Sequence, residues 1–333
     1  MKRLFVLFAF LLVSGAAFAQ DEKPQSEGTL LIVPRLDADP AYYFGDRAWG
    51  FDFGSTSLYT FFDGNIGDHF SFSFGNHWFA ITDSFSNTAD LYRNTWRTDV
   101  TNWVDWATVT GSVAGFFLTL GKDYIHFATF ENDAYDYQSH CQINSSLWNN
   151  YQVYQWGGRF GWMSEDESTT VSVEVTNDQS RDGSPKRPFS GRSFDDYAFT
   201  LFASHDFESV QLMGSASQCT LGWMGALGLG VNFTEELVLN LDGYFGRRFG
   251  GASARFDAGL SEHFDLFAKA GFDKGAQPLV IDGTRFFGGV GAYWYPLRDN
   301  RDLRVHALCS YDSLDNMLAM SFGILYQLNL KIY

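Results

Sequence analysis

The sequence has little of several things, and each shortage excludes something. After residue 20 no apolar run reaches the roughly 18 residues that a membrane helix needs. A chain that crosses a bilayer without such helices must do so as a closed barrel, because only helices and barrels satisfy every backbone polar group in lipid. Cations are scarce, 23 Lys and Arg against 39 Asp and Glu, which argues against nucleic acid or an anionic lipid surface as partner. Three cysteines leave an odd one. Cys141 and Cys219 fall in segments assigned to one rim, where they could pair, and Cys309 reads as a small apolar residue on an outward face. The 7 His and 3 Cys show no metal-ligand spacing, and no cofactor is indicated.

Residues 1–19 read as a signal peptide. Lys2 and Arg3 precede the apolar stretch Leu4 to Val13, and Ala17-Phe18-Ala19 supplies a small-x-small cleavage site. No cysteine follows it, so a lipid anchor is not indicated. Losing Lys2 and Arg3 makes the net charge of −16 more negative by two. Residues 20–29 are polar and acidic, a periplasmic lead, and 30–333 carry one repeating pattern.

That pattern is about ten residues of alternation, a turn, then about ten more, the signature of a transmembrane barrel. Leu237, Leu239 and Leu241 oppose Asn240 and Asp242; Phe256, Ala258 and Leu260 oppose Arg255 and Asp257; Leu266, Ala268 and Ala270 oppose Asp265 and Lys269. Sixteen segments are expected, starting near Leu30, Phe51, Phe70, Trp103, Phe116, Tyr154, Thr169, Tyr197, Ser209, Leu221, Leu237, Ala252, Phe264, Arg285, Leu303 and Leu318. Short turns alternate with longer connections at 37–50, 77–102, 128–153, 177–196 and 274–284, the asymmetry of periplasmic turns and outer loops. Alternation alone does not separate a soluble sandwich from a membrane barrel. Mixed charges on the polar faces, and aromatics near strand ends at Trp156, Trp162, Trp223, Phe233, Trp294 and Tyr295, favour lipid outside and water inside.

The organising stretch is 127–158, rich in carboxylates and rings with no regular period. Its expected role is a third outer loop folded into the lumen, with Glu131, Asp133, Tyr135, Asp136, Tyr137, His140 and Trp148 at a constriction. Arg159, Arg255, Lys269 and Arg304 share lumen-facing parity with Glu174, Asp242, Asp257 and Asp265. Two readings stand side by side: opposed walls that set a transverse field, or mutual neutralisation in a wet interior. The rings Tyr135, Tyr137, Trp148 and Tyr151 are likewise either a stacking rail for sugars or wedges against the wall.

The runs TLGKDYI (Thr119 to Ile125), FENDAYDYQSH (Phe130 to His140) and SLWNNYQVYQWGGRFGW (Ser146 to Trp162) resemble the corresponding region of outer-membrane porins related to the phosphate-selective porin O and P type. The resemblance covers roughly a tenth of the chain. It implies a sixteen-stranded antiparallel barrel, an inserted third loop and association as a homotrimer. The acidic loop and the lack of a lysine ladder depart from phosphate selectivity.

The expectation is therefore an all-β, porin-like transmembrane β-barrel in the bacterial outer membrane, a passive channel for small hydrophilic solutes or ions that weakly prefers cations and neutral species. The alternatives are a barrel enzyme of the lipase or protease type, and a non-conducting barrel for adhesion or scaffolding. An enzyme needs a nucleophile and base within reach. His140 with Ser145, His205-Asp206 and Asp195-Asp196 are the only candidates, all in loops or turns.

Overall fold

The computed structural model describes residues 26–53, 56–80, 104–133, 143–151, 154–178, 196–219, 222–247, 249–275, 283–297 and 300–332. Those residues form eighteen strand segments: β1 (Ser26–Tyr43), β2 (Ala48–Asp52), β3 (Ser57–Ile66), β4 (Phe70–Ala80), β5 (Val104–Val113), β6 (Phe116–Tyr124), β7 (Tyr154–Met163), β8 (Thr169–Asn177), β9 (Tyr197–Asp206), β10 (Val210–Cys219), β11 (Gly222–Asn232), β12 (Leu237–Gly246), β13 (Phe249–Ser261), β14 (Phe264–Gly275), β15 (Gly283–Trp294), β16 (Leu303–Asp312), β17 (Met317–Tyr326) and β18 (Leu328–Lys331). Between β6 and β7 lie two short helices, α1 (Phe130–Asp133) and α2 (Ser146–Asn150).

The segments make sixteen staves. β2 and β3 both pair with β1, at Pro40↔Phe51 and Ile32↔Thr60, so they are one stave interrupted around 53–56. β17 and β18 pair with the other side of β1, at Ala38↔Phe322 and Leu30↔Leu330, and form the last. All pairings are antiparallel and the ring closes on itself. Closure removes the open edges, which matters because each unsatisfied backbone group in hydrocarbon costs several kcal/mol.

β8 and β16 are greasy outside and largely polar inside. On β8 the exposed Val171, Val173 and Val175 alternate with Ser172, Glu174 and Thr176, and the contrast is wide: Val173 is 52% exposed and Glu174 3%. On β16 the exposed Ala307, Cys309 and Tyr311 alternate with buried Arg304, His306 and Ser310. Such an inside-out arrangement suits a lipid exterior and cannot be a soluble core. Exposed rings gather at both ends, Phe116, Trp162, Phe233 and Trp294 at one, Trp49, Trp78, Trp223 and Phe286 at the other. At the first end the links are tight. Ala114 and Gly115 both have positive φ, 50° and 79°, which is the two-residue turn whose twist matches antiparallel strands.

The strand starts follow the alternation closely from Trp103 onward. The expected long outer loop at 37–50 is a correction: β1 runs on to Tyr43 and the turn is 44–47. Asp37, Asp39 and Pro40 look like loop residues in sequence. Here Asp37 is buried against Arg35 at 2.6 Å, and Pro40 pairs with Phe51 on an interrupted stave. β1 also begins at Ser26 rather than near Leu30. Residues 1–25 and 81–103 lie outside the described residues, as does Cys141, so the cleavage site, any helix after Ala80 and a Cys141–Cys219 bridge do too.

Candidate functional site

Residues 125–133 and 143–151 pack against the staves. Ile125, Phe127, Leu147, Trp148 and Tyr151 bury themselves with Tyr154, Ala226, Tyr244 and Phe249. Trp148 is only 2% exposed, and Tyr151 donates its hydroxyl proton to Asp178 at 2.6 Å. These two rings are wedges, and no solute can stack on them; Tyr135 and Tyr137 lie outside the described residues.

Polar contacts fix the same segment. The first turn of α1 presents unpaired N–H groups, and those of Phe130 and Glu131 donate to the two oxygens of Asp242 at 2.7 and 3.2 Å. Ser145 caps α2 by accepting from the Trp148 N–H at 3.2 Å, as N-cap serines do, and donates its hydroxyl to Glu131. Glu131 also accepts from the Ser145 N–H at 2.8 Å and from Lys269 Nζ at 2.5 Å. Ser146 donates its N–H and hydroxyl to Asp273 at 3.0 and 2.8 Å. Arg285 lies under α2, bridging Asp273 at 2.9 Å and Asp312 at 2.6 Å while donating to the Asn144 carbonyl at 3.0 Å. Glycines make room. A Cβ on Gly230 would stand 2.7 Å from the Phe130 ring, and one on Gly289 2.8 Å from Ile143 Cγ2.

Of the charges expected along the lumen, Arg255, Asp257, Asp265 and Lys269 are held in ion pairs. Arg255 holds Asp257 at 2.8 Å on its own strand, with its guanidinium carbon 4.9 Å from the Phe267 ring centre. Asp265 takes Arg301 at 2.7 Å. Glu174 accepts from the His126 N–H at 3.2 Å, and Arg159 meets His126 Nε2. Glu131 is sealed in its pair with Lys269, whereas Asp133 is exposed. Asp136 and His140 lie outside the described residues. Arg304 differs: it is 5% exposed, packs 4.6 Å from the Tyr293 ring centre, and has no hydrogen-bond partner for Nε or Nη2.

Sequence reasoning missed Asp273, Arg285 and Asp312, and also the Arg35, Asp37 and His306 group, where His306 Nε2 lies 3.2 Å from Asp37. A signal was there. Asp273 is in phase with Asp265 and Lys269, and Arg285 pairs with it across β14 and β15.

Below the segment, toward the short turns, opens a cavity of about 1270 Å³. Phe130, Glu131, Asp133, Ile143 and Asn144 lie at one side of it, and β12 to β16 with their short turns supply the rest. Eight carboxylates and four cations line it. No group of three metal-ligating side chains occurs among the described residues.

Among solved structures, the outer-membrane channel DcaP of Acinetobacter baumannii superposes with a TM-score of 0.62 at 10% identity, covering 93% of this chain and 99% of its own. The fold is the porin fold. A variant of the Rhodobacter blastica porin superposes at TM-score 0.57 and 13% identity, covering 91% and 99%. The outer-membrane protein OmpT of Vibrio cholerae does so at 0.57 and 11%, covering 93% and 99%. Neither a protein-family model nor a curated protein matches the sequence.

Proposed function

We propose that this protein is an outer-membrane porin through which small hydrophilic solutes diffuse passively. One observation carries the reading: a closed barrel wears its apolar residues outside and encloses charged side chains around a large polar cavity. Strand walls hold a water column, residues 125–133 and 143–151 narrow it, and side chains at the narrowing bias what passes. Carboxylates exceed cations around the cavity, so cations and neutral solutes are favoured over anions. Phosphate selectivity has no support here.

Residues 1–19 direct export and are cleaved. The aromatic ends sit at the two lipid interfaces of the bacterial outer membrane. OmpT of Vibrio cholerae is described in a trimer form, and we extend association in threes to this chain.

The test is reconstitution. In planar bilayers under a salt gradient the reversal potential is expected to show mild cation preference, and clear anion selectivity overturns that part. Liposome swelling with sugars of increasing size separates a channel from a barrel enzyme or a scaffold. A barrel that admits no sugar and passes no current ends the proposal.

A further inference from the structure

We infer that Arg304 is the carboxylate-binding head of a subsite for small zwitterions, solutes that carry one carboxylate and one amine. The inference rests on the channel reading for its biological setting, but its geometry stands apart.

Of the four cations that line the cavity, three have a carboxylate in contact: Arg255 with Asp257 at 2.8 Å, Lys269 with Glu131 at 2.5 Å, and Arg301 with Asp265 at 2.7 Å. Arg304, the fourth, has none among the described residues, and Asp37 Oδ2 on β1 is held by Arg35 at 2.6 Å. A guanidinium stripped of water and left without acceptors is costly unless something supplies them. Two of its nitrogens are buried without an acceptor, and the side chain borders the 1270 Å³ cavity beside Tyr293 and Tyr295. The planar fork of an arginine matches a carboxylate with two parallel hydrogen bonds.

The surroundings decide what else the solute must carry. Glu235, Glu262 and Asp133 line the same cavity with no cation in contact among the described residues, and Asp242 is met only by backbone N–H groups. An anion entering this space meets a net excess of carboxylates and is repelled. A cation finds the acids but leaves Arg304 unmatched. A neutral amino acid satisfies both, with its carboxylate on Arg304 and its ammonium toward the acidic side.

The experiment uses alanine, propionate and propylammonium as probes on the full barrel. Two readouts are taken: current block in planar bilayers, and retention of labelled probe by detergent-solubilised protein in equilibrium dialysis. Alanine is expected to bind about tenfold more tightly than either single-charge probe. Arg304→Gln is expected to abolish that margin and Arg304→Lys to reduce it, each variant being checked for a folded barrel by heat-modifiable gel migration. Equal retention of alanine and propionate overturns the inference, as does a margin unchanged in Arg304→Lys should Arg304→Gln not fold. Alanine retention in a barrel that passes no current supports the subsite while overturning the channel.

Discussion

Removing the Asp273 carboxylate tests how the inner segment is held. Its Oδ2 accepts three hydrogen bonds, from the Ser146 N–H and hydroxyl and from Arg285, while Oδ1 takes the Tyr244 hydroxyl at 2.5 Å. Asp273→Ala deletes both acceptor oxygens, and with them four hydrogen bonds, in a buried place. Truncating one side of a buried ion pair costs about 3–5 kcal/mol. Arg285 keeps Asp312 at 2.6 Å, which puts the expected loss near 3 kcal/mol, the low end of that range. Asp273→Asn keeps one oxygen and an amide that Tyr244 can meet by turning its hydroxyl. Only the charge is lost, at about 1–1.5 kcal/mol. Urea unfolding in detergent measures both variants, and single-barrel recordings follow the passage. With its Asp273 contact gone, α2 loses a tie to the wall, and open-channel noise is expected to rise more in the Ala variant than in the Asn variant. Wild-type stability in Asp273→Ala would refute the anchoring. A large stability loss with unchanged current would refute the idea that this segment narrows the passage.

Three other predictions rest on separate contacts. A Cβ on Gly323 would stand 2.1 Å from Asp37 Oδ1 and 2.4 Å from His306 Nε2, so Gly323→Ala must part that pair and is expected to destabilise by about 1–3 kcal/mol; an unchanged melting temperature counts against the crowding. Asp133→Asn is expected to lower cation selectivity in reversal-potential measurements without altering stability, whereas Glu131→Gln, which leaves buried Lys269 its hydrogen bond to Asn144 but no counter-charge in contact, costs about 3 kcal/mol as well; equal stabilities would show that the pair holds nothing. Burial, and next the Asp312 carboxylate, push Asp315 in the turn 313–316 up to about 6. The folded state therefore binds that proton more tightly than the unfolded chain, and the stabilisation is full below the ordinary 3.8 and lost as pH rises through about 6. Asp315→Asn is expected to gain about 1 kcal/mol at neutral pH after allowance for solvent screening, with no gain in acid; parallel pH profiles of variant and wild type would contradict this.

Period-two alternation made the staves readable because one face meets lipid and the other water, so every slip of register would expose the wrong set. Leu266, Ala268 and Ala270 against Asp265 and Lys269 needed only counting. β1 was harder. Its inward residues Arg35, Asp37 and Asp39 are charged at alternate positions beside Pro34 and Pro40, which is turn composition unless the partner charges are known. Those partners include His306, far along the chain, and nothing local announces them. The inner segment was legible as a loop with a task, from its rings and lack of period. Its anchoring was not, since Asp242, Lys269 and Asp273 read equally well as wall charges free to meet a solute. Glu131 shows the difference most plainly: a carboxylate expected at the passage also ties Ser145 to a lysine on β14.

The seam of the ring has a consequence for how the chain can be made. Thr29 lies in register with Lys331, and β1 draws one of its two sets of partners from the final segments β17 and β18. The cylinder therefore cannot close until residues 317–331 are in place. Until then β1 presents an unclaimed row of amides and carbonyls that any stray strand could take. Shortening the C-terminus by the length of β17 and β18 should yield tangled aggregates in place of a smaller barrel.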